Sequence, residues 1–383
     1  MWRWLCVLFL LALPAARADL VYVLNSGEAS ISVLDARDRQ ELRRIPVLRE
    51  PHHLVLTPDG RQLVVGDSGG NELLFIDPAS AEVLRRERLS NPYHLEYSPD
   101  GRYLVIASLR RDQIDIYDAA SLGLIARFRQ PEKPSHIAFS PDSRMAYVTI
   151  QASGTVAAVD LDRREIAWTV PVGPEPAGII WHRGRLLIGL MGSTDFVQLD
   201  PATRELRPAF RVGRGAHVVM PSPDGRFLYA TARVDSGLWQ IDAESFAVLR
   251  RYEVPGGPDC IAFDPDGRLW VTLRWIGRVA IIDPASGQVE QIRVGRSPHG
   301  IFVMPRREGM RPDFLATHPG AVSGSRPLLR PVALRAGEPP PGAPPPILGG
   351  PALAAAPALS RRVRPADPPL SGSHAPARGE PGS

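Results

Sequence analysis

The stretch SPDGRYLVIASLRRDQIDIYD, from Ser98 to Asp118, contains a Pro-Asp-Gly turn, a short apolar run, a loop and a second apolar run that ends in an aspartate. Copies of this stretch recur along the chain at a spacing of 40 to 42 residues, and their final aspartates are Asp35, Asp77, Asp118, Asp160, Asp200, Asp242 and Asp283. A fixed period of this size is typical of a repeat architecture, so the fold follows from the period.

Each repeat has the turn chemistry of four short strands. In the first turn, proline sets φ, aspartate bonds the backbone downstream, and glycine accepts positive φ. A second turn, such as Asp77-Pro78-Ala79-Ser80, precedes a further strand like the one from Val289 to Val294. We find no helical period, so the sequence predicts an all-β fold, a seven-bladed β-propeller of four-stranded antiparallel blades.

The two ends of the repeat region predict how the ring closes. Leu20 to Leu24 reads as the second strand of a blade, whereas Gly300 to Met304 reads as a first strand with nothing after it. The C-terminal strand is therefore expected to complete the first blade, which removes free sheet edges. We assign residues 19–314 to this propeller.

The residues outside the repeats predict export and a disordered tail. Residues 1–18 have an early arginine, an apolar run and Ala16-Arg17-Ala18, which is typical of a cleavable signal for the periplasm, and the run is too short for membrane insertion. Residues 315–383 contain 16 prolines and no strand period. We expect them to be disordered, as a spacer, a protein-binding arm or a frame-shifted extension of the gene.

Charge and cysteine content narrow the class of protein further. Without signal and tail the propeller has 36 Lys and Arg residues against 38 Asp and Glu residues, a net charge of about −2. It therefore lacks the excess of positive charge that is typical of a nucleic-acid-binding domain. Removal of the signal leaves Cys260 as the one cysteine, so no intramolecular disulfide is expected. We expect a monomer.

Histidines recur just before the first strand of successive blades, after a proline or glycine. The residues in question are His53, His94, His136, His217 and His299, and the repeats that break the rule carry Gly178 and Cys260. First strands line the channel of a propeller, so these side chains are expected to ring one mouth of it. Imidazole binds transition metals and donates or accepts hydrogen bonds, and His94, His136 and His217 are the candidate metal ligands. Alternatively, each histidine caps its strand and was copied by duplication.

Loops between second and third strands open on the same face and offer Arg110, Arg233, Arg274 and Trp275. Arginine forks suit carboxylates, and Trp275 or Tyr93 can stack on a planar ring. Such a mouth suits a flat, polycarboxylated ligand, a haem-type tetrapyrrole or a quinone. The alternative is that these arginines are ordinary solvated loop residues.

The repeats resemble those of the YVTN-type bacterial β-propeller proteins. The resemblance is carried by Val21-Tyr22-Val23-Leu24-Asn25, Ala146-Tyr147-Val148-Thr149 and Trp270-Val271-Thr272, each followed by an apolar run that ends in the repeated aspartate. It implies the propeller fold and, more distantly, a likeness to the haem d1 domains of nitrite reductases and haem d1 maturation proteins, or to propellers encoded beside quinoprotein alcohol oxidation. This chain departs from the haem d1 domains, since it has seven repeats instead of eight and no Cys-x-x-Cys-His.

Three functions remain in competition at this point. The first is a non-catalytic binding or accessory propeller that recognises a small cofactor or a periplasmic partner protein at the mouth. The second is a redox or cofactor-maturation protein whose histidines bind a tetrapyrrole or a metal, which requires the five histidines to converge on one axis. The third is a lactonase-like hydrolase, for which Glu28, Asp67 and Asp112 are available although no acid and base pair can be assigned.

Overall fold

A computed structural model describes residues 19–305, and in this range every regular element is a β-strand. The strands form seven antiparallel four-stranded sheets, which confirms the predicted seven-bladed propeller. The predicted signal at residues 1–18 and the predicted tail at 315–383 lie outside the described residues. Within residues 19–305 there is no helix that is long and apolar enough to cross a membrane.

Within each blade the strands are ordered from the first, at the channel, to the fourth, at the outer edge. The first four blades consist of β28 (Pro298–Met304), β1 (Leu20–Asn25), β2 (Ser30–Asp35) and β3 (Glu41–Pro46); β4 (Pro51–Leu56), β5 (Leu63–Asp67), β6 (Glu72–Ile76) and β7 (Val83–Arg88); β8 (His94–Tyr97), β9 (Tyr103–Ser108), β10 (Gln113–Asp118) and β11 (Leu124–Arg129); and β12 (Pro134–Phe139), β13 (Met145–Ile150), β14 (Thr155–Asp160) and β15 (Glu165–Pro171). The last three consist of β16 (Pro176–His182), β17 (Arg185–Leu190), β18 (Asp195–Leu199) and β19 (Leu206–Arg211); β20 (Ala216–Pro221), β21 (Phe227–Ala232), β22 (Gly237–Asp242) and β23 (Val248–Glu253); and β24 (Pro258–Phe263), β25 (Leu269–Leu273), β26 (Arg278–Ile282) and β27 (Val289–Arg293).

The ring closes as the sequence predicts. Within residues 19–305 the last strand, β28, pairs with the first, β1, and their register places Tyr22 opposite Phe302. The Tyr22 hydroxyl donates a 2.9 Å hydrogen bond to the carbonyl of Pro78 in the second blade. Strand β1 is therefore held between β28 and β2 in its own blade, and Tyr22 ties it to the next blade.

The inner strands are largely apolar and buried because both faces of each blade are covered. In β1, Tyr22 and Leu24 pack in one cluster with residues of the second blade, whereas Val21 and Val23 pack in another with residues of the seventh. Successive side chains of a strand point to opposite faces, so a buried sheet needs an unbroken apolar run. The outer strands are instead mostly exposed, and β15 alternates between half-buried and exposed residues.

The repeated aspartates fix turns, as expected. Asp35 Oδ1 accepts hydrogen bonds from the amides of Arg37 at 2.8 Å and Asp38 at 2.9 Å. The same contacts recur at Asp77 and at Asp283. These turns join third to fourth strands on the face of the ring opposite the histidines, so they take no part in the candidate site.

Candidate functional site

A β-bulge just after the starting proline sets the orientation of the first strands. In β4, Pro51 pairs with Asp67 and His53 pairs with the adjacent Gly66, so β4 contains one extra residue. The same extra residue occurs in β12, β16, β20, β24 and β28. A bulge breaks the alternation of side chains. Consequently both His52 and His53 turn inward and contact the ring of His299, with centroids 3.9 and 4.7 Å from it.

A threonine of the second strand ties this bulge to the next blade. The Thr272 hydroxyl accepts a 3.0 Å hydrogen bond from the amide of Cys260 and donates a 2.9 Å hydrogen bond to the carbonyl of His299. Thr149 and Thr231 make the same bridge between their own blade and the following one. Because each hydroxyl satisfies two backbone groups, it fixes both the bulge and the spacing between blades.

Six imidazole rings meet at the channel mouth and form what we call the hub cluster. Its members are His52, His53, His94, His136, His217 and His299, of which all but the half-buried His94 are buried. Neighbouring rings are in contact, with centroids 4.4 Å apart for His53 and His94 and 5.0 Å apart for His94 and His136. Tyr93 covers the cluster, with its ring centroid 4.1 Å from that of His52.

Asp259 is the carboxylate that anchors the hub cluster, and its side chain is fully buried. His299 Nδ1 lies 2.6 Å from Asp259 Oδ2, Arg233 Nη2 donates to Oδ1 at 2.5 Å, and Arg274 Nη1 donates to Oδ2 at 3.2 Å. His217 Nδ1 lies 2.8 Å from Oδ1 without a well-aligned hydrogen bond. Because an ionised carboxylate only accepts, His299 carries its proton on Nδ1, and its Nε2 therefore exposes a lone pair.

Burial keeps the histidines neutral and the aspartate charged. Loss of hydration lowers the pKa of His299 to about 3 and that of His217 to about 4, although Asp259 opposes the change. The same burial lowers the pKa of His53 well below its usual value. Burial alone would raise the pKa of Asp259, but Arg233 and the two histidines outweigh it and hold that pKa well below the usual range. Neutral imidazole is the form that binds metal ions.

Two groups of side chains in residues 19–305 bring three metal-binding atoms within 4.8 Å of one another: His52, His53 and His299, and Asp259, Cys260 and His299. In the first group the Nε2 atoms of His53 and His299 are 3.2 Å apart. Two ligands of a tetrahedral ion with bonds of about 2.0–2.1 Å are separated by about 3.3 Å, so the spacing fits one metal ion.

The buried ring nitrogens His52 Nδ1 and His136 Nε2 lack hydrogen-bond partners among the described residues. Buried polar atoms are nearly always satisfied, so each such atom calls for a water, an ion or another ligand. The orphaned atoms belong to the hub cluster, where neutral imidazoles already converge.

The structure brings all five predicted histidines into the cluster, but from two strand positions: His53, His94 and His136 share one, whereas His217 and His299 enter differently. They occupy the position of His52 and Asp259, one residue earlier in the bulge, and Val218 and Gly300 are the true counterparts of His53. A Cβ at Gly300 would lie 2.9 Å from the carbonyl oxygen of His52, so this position requires glycine. Gly178 is required likewise, since a Cβ there would lie 2.5 Å from the carbonyl oxygen of His217.

The predicted metal ligands His94, His136 and His217 are in contact through their rings, His94 with His136 and His136 with His217. Their three ligand atoms, however, do not all lie within 4.8 Å of one another. His136 is instead engaged at Nδ1, which lies 2.8 Å from the hydroxyl of Ser135.

The predicted loop residues divide into two pairs. Arg233 and Arg274 reach the hub cluster through Asp259, as described. Arg110 instead donates a 2.6 Å hydrogen bond to Glu50, and its side chain is 57% exposed. Trp275 is 58% exposed, and its indole lies against Gly257, where a Cβ would come within 2.5 Å of it. The structure therefore places neither Arg110 nor Trp275 among the contacts of the cluster.

Sequence reasoning missed Asp259 and His52. Both occupy the residue directly after the starting proline, a position that alternation would turn away from the channel and that only the bulge turns inward. Their residue type could have revealed them. Pro258-Asp259 and Pro51-His52 each place a polar side chain at the start of an otherwise apolar strand, where burial without a partner is costly.

The space inside the channel is small. A cavity of about 110 Å³ is lined by His53, His94, Glu96, His136, Gly178, Cys260 and apolar first-strand residues. Pockets for drug-sized ligands measure about 300–1,000 Å³. Because the rings also touch one another, the cluster has no slot for a tetrapyrrole. The residues thus do not fit the macrocycle that the resemblance to haem d1 domains implies, whereas they fit a single ion.

Fold and site together define a seven-bladed propeller with a histidine-lined hub. The chain belongs to the YNCE-like β-propeller family, whose pattern matches residues 9–307. No curated protein matches the sequence at a significant level.

Solved structures support this fold assignment. The periplasmic gluconolactonase PpgL of Pseudomonas aeruginosa is 21% identical over 76% of this chain and 99% of that chain, with a TM-score of 0.62. The hydrazine synthase of Kuenenia stuttgartiensis is 20% identical over 65% of this chain and 88% of that chain, with a TM-score of 0.56. The dihydro-haem d1 dehydrogenase NirN is 15% identical over 76% of both chains, with a TM-score of 0.58. At these identities the likeness concerns the fold alone, and at that level it confirms the expected similarity to haem d1 propellers.

Proposed function

We propose that this chain is an exported binding propeller whose hub cluster holds one first-row transition metal ion through His53, His299 and His52. The observation that carries the proposal is the pair of Nε2 atoms 3.2 Å apart, on rings that are buried and neutral. Imidazole ligands suit zinc, copper, iron and nickel, whereas calcium and magnesium require oxygen ligands.

Asp259 supports this function as the hydrogen-bond partner of a proposed metal ligand. A metal-binding histidine commonly donates its other N–H to a carboxylate, which fixes the tautomer and makes the ring a better ligand. His299 has this arrangement, with Asp259 on Nδ1 and His53 facing Nε2. The hub cluster thus has both a ligand pair and the outer partner that such a pair needs.

The hydrolase alternative has less support, because its candidate carboxylates are engaged elsewhere. Asp67 accepts hydrogen bonds from three backbone amides, those of Arg49, Glu50 and Gly70. Glu28 accepts from the amide of Arg296, and Asp112 from the amide of Lys133. These acids stabilise loops, and we assign none of them to acid or base catalysis.

Titration of the chelator-treated protein with Zn²⁺ and Cu²⁺ in separate calorimetric experiments tests the proposal. We expect one equivalent to bind. His53→Gln or His299→Gln is expected to weaken binding by at least about 100-fold, since even outer-shell partners contribute about 10- to 100-fold.

His182→Gln provides the matched control. His182 is a half-buried histidine at the other end of β16, with Nε2 2.8 Å from the carbonyl oxygen of Ala243. This variant should bind the metal as the unaltered protein does. Equal affinity in all three variants, or no binding by the unaltered protein, would refute the proposal.

A further inference from the structure

We infer that the channel mouth beside Asp259 binds a small anion, a carboxylate or an inorganic oxyanion, through the guanidinium groups of Arg233 and Arg274. This site is separate from the proposed metal position, because the two arginines contact Asp259 and not the Nε2 atoms of His53 and His299. The inference does not depend on the metal.

The first argument is charge. Arg233 and Arg274 share Asp259, whose carboxylate is fully buried, while their own side chains are only 17% and 24% exposed. The histidines beside them supply no negative charge. One positive charge is therefore left uncompensated in a place with little access to water, and a charge in such a place calls for a counter-ion.

The second argument is the number of unused donors. Arg274 donates one side-chain hydrogen bond within residues 19–305, from Nη1 to Asp259 at 3.2 Å. Arg233 uses Nε and Nη2 on Asp259, but its Nη1 faces the sulfur of Met191, a weak acceptor, at 3.3 Å. A guanidinium has five N–H donors, so both groups keep donors for a second acceptor. Their planar fork matches the oxygens of a carboxylate or phosphate.

The third argument is the hydroxyl of Tyr93, which is within electrostatic reach of both guanidinium groups. Burial raises the pKa of Tyr93, while Arg233 and Arg274 act in the opposite direction, so the phenol lies close enough to sense both guanidinium groups. Ser135, which accepts a 2.9 Å hydrogen bond from Gln151, lies beside the phenol as well. Two guanidinium groups and a phenol thus lie in one buried electrostatic environment beside Asp259.

Calorimetric titration of the full, chelator-treated chain with acetate and, separately, with inorganic phosphate at low ionic strength tests the inference. We expect one equivalent of at least one of these anions to bind. Arg274→Gln should weaken binding by about tenfold or more, as expected for the loss of a charge-assisted hydrogen bond. Arg233 is left in place so that Asp259 keeps a partner and the ring folds.

Arg110→Gln is the matched control, because Arg110 is a mouth arginine paired with Glu50, and it should leave anion binding unchanged. Arg274→Lys keeps the charge without the fork, so its affinity should fall between those of the unaltered protein and Arg274→Gln. Binding of neither anion by the unaltered protein, or equal weakening in the Arg110 and Arg274 variants, would overturn the inference.

His53→Gln separates this inference from the proposed function. This variant is expected to lose the metal but to bind the anion within about twofold of the unaltered protein, because no arginine contact changes. Loss of anion binding on His53→Gln would mean that the anion requires the histidine cluster, which contradicts a separate site. Failure of anion binding with metal binding intact would refute this inference alone.

Discussion

Asp259 is the residue that joins the hub cluster to its two arginines. It joins His299 to Arg233 and Arg274 without any exposure to water. Asp259→Asn removes the charge that both guanidinium groups need. We expect a loss of about 3–5 kcal/mol in the free energy of unfolding, measured by urea denaturation, because removal of the aspartate charge leaves the buried guanidinium charges without a partner.

Asp235→Asn is the control for this change. Asp235 pairs with Arg214 at 2.8 Å, but its side chain is 31% exposed and that of Arg214 is 70% exposed. Such a surface pair contributes about 0–1 kcal/mol. Equal destabilisation by the two substitutions would show that Asp259 does not hold the hub together.

The buried histidines make stability depend on pH. Burial lowers the pKa of His299 to about 3 and that of His217 to about 4, whereas in the unfolded chain both have a pKa near 6.5. Between pH 6.5 and about 4 the unfolded chain therefore binds more protons, so stability falls as the pH is lowered. We expect the metal-free protein to lose about 2 kcal/mol per such histidine between pH 7 and pH 5. A flat profile of unfolding free energy in urea across this range would contradict neutral histidines.

At the scale of elements, the threonine bridges hold the first strands in the geometry that the site requires. Thr272→Val keeps the shape of the side chain but leaves the amide of Cys260 and the carbonyl of His299 without a partner. We expect a loss of about 1–3 kcal/mol in unfolding free energy and a weaker metal site. Chemical denaturation and metal titration measure the two effects.

Thr169→Val on β15 is the matched substitution, because Thr169 is exposed on an outer strand. It should change stability by no more than about 0.5 kcal/mol and leave metal affinity unaltered. If Thr272→Val had as little effect on both quantities as Thr169→Val, the threonine bridge would have no part in holding the site.

The strand bulge also explains which parts of the site the sequence predicts. His53, His94 and His136 were predictable because they recur at one repeat position, and a repeat position keeps its direction in every blade. Asp259 and His52 were not predicted, because they occupy the neighbouring position, which a simple alternation of side chains points away from the channel. His217 and His299 share that neighbouring position and were found only because their residue type matches the repeated histidine. The partner of Arg110 was also hidden, since Glu50 lies in a loop between the first and second blades.

At the scale of the whole molecule, the ring depends on its last strand. The period of 40 to 42 residues and the unmatched first strand at Gly300 to Met304 were enough to predict both the number of blades and the closure. Blade number and closure are properties of the whole ring, and every repeat carries the pattern that predicts them. The divergence of one repeat therefore does not prevent the prediction.

Truncation tests the closure. A chain that ends at Arg296 lacks β28, so it exposes the edge of β1 and loses His299. We expect it to aggregate or to unfold without a cooperative transition, since an exposed apolar edge invites pairing with other chains. A chain that ends at Pro305 keeps β28 and should unfold cooperatively, as followed by circular dichroism and size-exclusion chromatography. Identical behaviour of the two truncated chains would contradict closure by β28.

The central claim is that one metal ion binds within the hub cluster, and anomalous X-ray diffraction from crystals of the Zn²⁺-loaded chain tests it most directly. The account predicts one strong anomalous peak at the zinc edge, about 2.0–2.1 Å from the Nε2 atoms of His53 and His299. A peak only at surface residues, or no peak in the channel at full zinc loading, would contradict it.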